Sequence, residues 1–387
     1  MEFWFEEEHK ILRDSIHKFV ANEITPHVEE WDELGLTPRS LVQQMGELGY
    51  LGLMYPEEYG GQGGDVFSAI ILAEELGRSG SLGVANTVLV HAYMAVPIIL
   101  RYGTEEQKHD YFEPAIKGQK IASLGITEPG AGSDVSLLKT VAHKDGDRWI
   151  INGTKIFITN GTQADFVVLA ARTEPGQGSR GISVILVNRD APGFSVSRKL
   201  QKVGNHASDT AELVFEDCAV PLDRLVGEEG KGFNQIMWEL QLERLVVGAA
   251  ATAAGEYALE MAIAYCQQRQ QFGRPLAGFQ ALQHRIVDLA TALEAGKQLV
   301  YGAAWKYKHD LYPVKEVSMA KLYCTNTAFM AADYALQLHG GYGYMMEYPI
   351  QRLWRDLRLW RIGGGTDEIM REIIAGQMQL VPKEQRR

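Results

Sequence analysis

Over the first third of the chain, apolar positions recur at helical spacing. Ile11, Ile16, Phe19 and Val20 fall at roughly helical intervals, which predicts an opening helix. Further helices are predicted over residues 38–48, 66–77, 83–102 and 105–116. Glycine-rich turns, such as Tyr-Gly-Gly-Gln-Gly-Gly at residues 59–64, separate them. From about Ile121 to Gly227 the runs become short and β-rich. Residues 149–151 and 155–159 flank Asn152-Gly153, a pattern that predicts a hairpin turning at Asn-Gly. Residues 166–170, 182–187 and 211–215 are further strands of this kind. After Gly230 the helical period returns over residues 233–268, 280–308, 313–339 and 366–378, four segments that suggest a bundle.

The predicted fold is therefore α+β and multidomain. A helical N-terminal domain (residues 1–120) precedes a central β-barrel-like or sandwich domain (121–228), and a C-terminal four-helix bundle (229–387) follows. The 387-residue length suits two or three domains. The most apolar stretch, residues 87–100, contains His91 and Pro97 and reads as too short to span a bilayer. The acidic start of the chain lacks the basic residues of a targeting signal. The expectation is a cytoplasmic protein, or a mitochondrial matrix one whose leader has been removed.

Charge and cysteines narrow the chemistry. With 38 basic and 49 acidic residues the net charge is −11, which disfavours a nucleic-acid surface. Cys218, Cys266 and Cys324 lie far apart, without the spacing of a disulfide framework or a metal site.

Six places carry candidate chemistry. At residues 127–134, Thr-Glu-Pro-Gly-Ala-Gly-Ser-Asp, Gly130 and Gly132 would let the backbone approach a ligand or take positive φ. Thr127, Ser133 and the loop amides offer donors; a plain tight turn explains the same residues. In residues 155–161, Phe157 and Thr159 could stack on and hydrogen-bond a planar group, or simply end a strand. Arg269, closing a long helix, suits the helix dipole or a phosphate. Residues 337–344 contain Gln337, His339, Gly340 and Gly341, which fit a helix C-cap or a ligand beside the backbone. Three glycines precede Thr366, a good N-cap with Asp367 and Glu368 in the first turn. Finally, Ile236, Leu240, Glu243 and Val247 share one helix face, so a carboxylate sits inside an apolar stripe.

Together these segments resemble the acyl-CoA dehydrogenase family, and the likeness runs over essentially the whole chain. The carrying motifs are residues 127–134, Arg269-x-x-Phe272-Gly273, Gln337-x-His339-Gly340-Gly341 and the glycine-Thr366 junction. The resemblance implies bound FAD, with Leu124, Ile126, Thr127, Gly132, Ser133, Phe157, Ile158 and Thr159 along the flavin. It further implies that Arg269, Gln271, Phe272, Gln280, Gln337, His339, Gly340 and Gly341 meet the FAD of a neighbouring subunit, with Thr366 and Glu368 completing the site. A homotetramer, a dimer of dimers, is the usual assembly, and an electron-transfer flavoprotein the usual electron acceptor.

Many members of the family carry the catalytic glutamate directly before the last Gly-Thr pair. Here that position is Gly364. A subset with long-chain and isovaleryl specificity carries it in a Glu-Arg-Leu sequence, which matches Glu243-Arg244-Leu245. The resemblance thus implies Glu243 as the base that takes an α-proton of an acyl-CoA, long-chain or branched, while a hydride leaves Cβ for flavin N5. The Gly364 N–H and a ribityl hydroxyl would hold the thioester oxygen. Ser133, Arg244 and Gly365 would help bind substrate, with residues 87–97 near the tail. An acyl-CoA oxidase or a carrier-protein-bound aminoacyl dehydrogenase on the same fold is the alternative. A DNA-associated flavoprotein is disfavoured by the charge.

Overall fold

The computed structural model describes residues 3–174 and 176–380. Helices α1 (Glu7–Phe19), α2 (Val28–Leu34), α3 (Arg39–Glu47), α4 (Val66–Gly77), α5 (Leu82–Val90), α6 (Pro97–Tyr102), α7 (Glu105–Gln107) and α8 (Glu113–Ile116) come first. In α1 the stripe of Ile16 and Phe19 is buried, but Ile11 is 66% exposed and lies off it.

The single helix predicted over 83–102 is broken. A π-turn, His91–Ala95, separates α5 from α6. Its His91 is buried and bridges two backbones: Nε2 lies 3.0 Å from the Ala115 carbonyl, and Nδ1 accepts from the Ala122 N–H. Burial lowers the ring's pKa to about 4, so it is neutral. A second π-turn, Lys108–Phe112, interrupts the predicted 105–116 helix. Residues Leu82–Tyr102 are in fact long and apolar enough to cross a membrane, which the reading of 87–100 underestimated. Of its most apolar 18-residue window 94% is buried inside the protein, so its apolarity serves the core.

Strands β1 (Ala122–Gly125), β2 (Val141–Asp145), β3 (Arg148–Thr159), β4 (Phe166–Arg172), β5 (Ile182–Asn188), β6 (Phe194–Lys199), β7 (Thr210–Pro221) and β8 (Leu225–Val226) form one sheet. Its order is β6-β7-β3-β2-β4-β5-β8, with β1 parallel to β4. One face packs a core of its own around Trp149, Ile151, Leu169, Ile185, Leu213 and Phe215. The other, through Val168, Val184 and Leu186, joins the helical core. Both faces are thus covered, which explains the continuous apolar runs of β4 and β5.

The predicted turn at Asn152-Gly153 does not exist. Both residues lie within β3, and the chain reverses between β2 and β3 at residues 145–148, with Gly146 at φ +59°. Asn152-Gly153 instead marks a bulge, where the register against β7 shifts between Ile151 and Gly153. The Asn152 side chain exchanges two hydrogen bonds with Asp217 (3.0 and 2.8 Å), so its turn-forming group is used across strands.

The C-terminal part holds α9 (Gly232–Gln268), a two-residue hairpin of β9 (Gln270–Gln271) and β10 (Arg274–Pro275), then α10 (Gln280–Lys308), α11 (Val314–His339), α12 (Ile350–Trp360) and α13 (Asp367–Gln377). Helices α9, α10 and α11 pack on one another, and α12 and α13 lie against α11. The small residues of α9 permit this: a Cβ on Gly255 would come within 2.9 Å of the Ala328 Cα on α11. Helix α12 was not predicted. Its buried Ile350, Leu353, Leu357 and Trp360 form a clear stripe, but it is short and sits between two glycine-rich segments.

Candidate active site

Glu243 lies on α9 with 9% of its surface exposed. Burial raises its carboxyl above the ordinary 4.5, opposed by Arg244 and Lys321. Opposite it stands the loop before α13. A Cβ on Gly364 would lie 2.9 Å from Glu243 Oε1, and Gly364 has φ +66°, so glycine serves there twice over.

Two buried cations hold that loop. Arg244 Nε donates to the Gly364 carbonyl (2.9 Å) and Lys321 Nζ, from α11, to the Gly365 carbonyl (2.6 Å). Burial pulls Lys321 down to about 8. The Gly364 N–H has no hydrogen-bond partner among the described residues. The loop then enters α13 through Thr366, whose hydroxyl accepts from the Ile369 N–H (3.3 Å). Asp367 pairs with Arg361 at 2.7 Å, while Glu368 is exposed. Lys321 was missed in the sequence. The signal was available: it sits among Val317, Cys324 and Ala328 on an apolar face of α11, as Glu243 does on α9.

A second group gathers at the far ends of α9 and α11. Arg269, Gln271, His339, Gly340 and Gly341 line a recess of about 410 Å³ with Tyr265 and Tyr342. His339 stacks on Tyr265, ring centroids 4.4 Å apart. Phe272 and Gly273 occupy the two turn positions between β9 and β10, at φ +52° and +76°. That conformation is costly for phenylalanine, and its ring is 93% exposed. Gln280 begins α10 and, like Gln337, is exposed.

The third group is on the β domain. Glu128 accepts from the Lys139 and Thr140 N–H groups (2.5 and 2.9 Å) and from Lys155 Nζ (2.7 Å). Lys155 also donates to the Ile126 carbonyl at 2.9 Å. This buried pair anchors the loop bearing Thr127, Gly132 and Ser133. Gly130 and Gly132 do not take positive φ, contrary to expectation. Cβ atoms on them would meet nothing within 4 Å, so they keep the loop's outer surface low. Leu124 and Ile126 are half-buried. Phe157 stands at φ +62° where β3 slips register against β7, and is 66% exposed. Ile158 turns its side chain into the sheet core, so only its backbone can meet a ligand; Thr159 is half-buried. No hydrogen bond or ion pair among the described residues ties this loop to the Glu243 cluster. No group of three metal-ligating side chains occurs among them either.

Family models for the N-terminal, middle and C-terminal domains of acyl-CoA dehydrogenase match residues 6–119, 123–218 and 230–379. A short-chain-specific acyl-CoA dehydrogenase of Clostridium acetobutylicum is 41% identical over 98% of this chain and 100% of its own length. The mitochondrial long-chain-specific acyl-CoA dehydrogenase of Sus scrofa is 40% identical over 97% of this chain and 87% of its own. The crystal structure of an acyl-CoA dehydrogenase from Geobacillus kaustophilus superimposes with a TM-score of 0.95 at 44% identity, covering 98% of this chain and 100% of that one. With its helical, β and helical-bundle parts all matched in order, the chain belongs to the acyl-CoA dehydrogenase family and is an oxidoreductase.

Proposed function

We propose that this protein is an FAD-dependent enzyme that dehydrogenates an acyl-CoA thioester at its Cα–Cβ bond, with Glu243 as the base. The single observation that carries this reading is the buried Glu243 carboxylate facing Gly364. Long-chain and branched acyl groups are the proposed substrates, on the strength of the Glu243-Arg244-Leu245 sequence.

The residues present fit FAD. The recess at the ends of α9 and α11 offers the Arg269 guanidinium and glycine backbone for a diphosphate. Phe157 and Phe272 project exposed rings from strained backbone, as partners for planar groups. When bound, FAD supplies the hydride acceptor.

This chain's own residues do the rest. Glu243 takes the α-proton, and burial makes it a stronger base than a free carboxylate. The Gly364 N–H, unpartnered among the described residues, donates to the thioester oxygen as negative charge develops there. Arg244 and Lys321 position that amide by holding the adjoining carbonyls. Ser133, Arg244 and Gly365 help hold the substrate. An exposed Gln270–Pro275 hairpin and an exposed Gln337 suit a site completed by a second subunit, hence a homotetramer. Electrons would pass on to an electron-transfer flavoprotein, in a bacterial cytoplasm or a mitochondrial matrix.

The test is anaerobic mixing of the yellow holoprotein with acyl-CoA esters of varied length and branching. Bleaching of the flavin is expected. Absence of bleaching with every ester would overturn the reading.

A further inference from the structure

Lys321 carries a charge that its one hydrogen bond does not explain. Its side chain has no exposed surface, and among the described residues its ammonium donates only to the Gly365 carbonyl (2.6 Å). A buried charge is costly unless another charge answers it. A neutral donor would serve that carbonyl at lower cost.

The packing of two helices shows what answers it. Helices α9 and α11 run parallel and in register. A Cβ on Gly248 would lie 3.8 Å from the Lys321 backbone nitrogen, and one on Gly255 2.9 Å from the Ala328 Cα. Side chains lean towards the N-terminus of their helix. Lys321, level with Gly248, therefore reaches back along α9 towards Arg244 and Glu243. Its ammonium and the Glu243 carboxylate meet the same loop at consecutive residues. The ammonium holds the Gly365 carbonyl, and the carboxylate fills the space beside Gly364.

The other charges facing this point are Glu239 and Arg244 on α9, with Arg361 after α12 and Asp367 at the start of α13. Arg361 and Asp367 pair at 2.7 Å and largely cancel. Arg244 is bonded to the Gly364 carbonyl and faces two acids, Glu243 and Glu239. Lys321 is the second cation against those two acids. Burial lowers it to about 8, which leaves it charged at neutral pH. Burial drives Glu243 towards the neutral acid, a form that cannot take a proton, and a substrate that expels water would drive it further. The fixed positive charge of Lys321 opposes that drift.

We infer that the buried Lys321 ammonium keeps Glu243 ionised in the closed, dry site and so sets the pH range over which the base works. This rests on the dehydrogenase reading above and deepens it. Lys321 is a positioning residue that acts through Glu243.

The test uses the FAD-loaded enzyme with lauroyl-CoA and isovaleryl-CoA, and two uncharged variants of similar size. Lys321→Gln keeps a donor for the Gly365 carbonyl; Lys321→Met loses it. Both should move the acid limb of flavin reduction up by at least about one pH unit, so that below both limbs they run at least about tenfold slower than the native enzyme. Lys321→Met should also have a lower plateau rate than Lys321→Gln, and if it does not fold, Lys321→Gln decides. In the holoenzyme without ester, the infrared band of the protonated Glu243 carboxyl, identified by its absence in Glu243→Gln, should titrate at correspondingly higher pH. A limb and a band that stay in place in Lys321→Gln would overturn the inference, whatever the plateau rate, and leave Lys321 a strut for the loop alone. The infrared titration reads Glu243 without turnover, so that failure is distinct from failure of the dehydrogenase reading, in which no ester reduces the native flavin.

Discussion

The Glu243 carboxylate and the Gly364 backbone meet: a Cβ on Gly364 would sit 2.9 Å from Glu243 Oε1. A side chain from helix α9 therefore fills the space into which residue 364 would otherwise project. Two positions 121 residues apart in sequence address one point, and only one of them carries an acid.

Glu243→Gln keeps shape and burial but removes the base. It should retain yellow FAD and bind acyl-CoA, while flavin reduction slows by at least about a hundredfold. Rapid-mixing absorbance under anaerobic conditions measures it. Normal rates would show that another group takes the proton.

Adding Gly364→Glu to that variant should return part of the lost rate, because the new carboxylate enters the same space. Recovery should be incomplete, because the amide side chain then at position 243 has to swing aside: a Cβ at 364 comes within 2.9 Å of the end of that side chain. The φ of +66° at Gly364 is unfavourable for a side chain by about 1–2 kcal/mol. The same single-turnover assay decides, and a double variant no faster than Glu243→Gln would separate the two positions functionally.

The pH dependence follows from the same burial. Glu243 acts only when ionised, and its carboxyl is held above 4.5 in the folded protein. Flavin reduction should fall as pH drops through that raised value, giving an acid limb above 4.5. Stability moves the other way. Between 4.5 and the raised value the folded state binds the proton more tightly than the unfolded, so this group's contribution declines as pH rises. Glu243→Gln should remove this group's share of the slope, leaving that of the buried Glu239 and Asp356, and be the more stable form at neutral pH, as denaturant titration at several pH values would reveal.

Much of this was legible beforehand, for local reasons. Helix α10 runs over residues 280–308, as its periodicity predicts. Thr366 caps α13 because a hydroxyl before an acidic first turn has few better uses. Glu243 showed itself as a charge within an apolar stripe. What stayed hidden depends on partners distant in sequence. Asn152-Gly153 has the local chemistry of a turn, yet Asp217 and the β7 register claim it for a bulge. The π-turn at His91 is set by the carbonyl of Ala115 and the amide of Ala122. Lys321 has meaning only once the Gly365 carbonyl is placed beside it.

Lys155 offers a test at the β domain, where the Glu128 pair anchors the loop proposed to line the flavin. Lys155 has no exposed surface, and burial lowers its pKa to about 8, so it remains charged at neutral pH. Against burial, which favours the neutral acid, the Lys155 charge and three hydrogen bonds hold the Glu128 carboxylate ionised, below its ordinary range. Lys155→Met would strand that carboxylate and release the Ile126 carbonyl. The expected loss is about 3–5 kcal/mol, the range for breaking one side of a buried pair. FAD should bind at least about tenfold more weakly. Replacing both partners, Lys155→Met with Glu128→Leu, should restore most of the stability, since no uncompensated charge remains. It should not restore FAD affinity, because the Lys139 and Thr140 amides would lose the carboxylate that shapes the loop. Calorimetric melting and flavin titration separate these effects, and full recovery of both would mean the pair contributes packing alone.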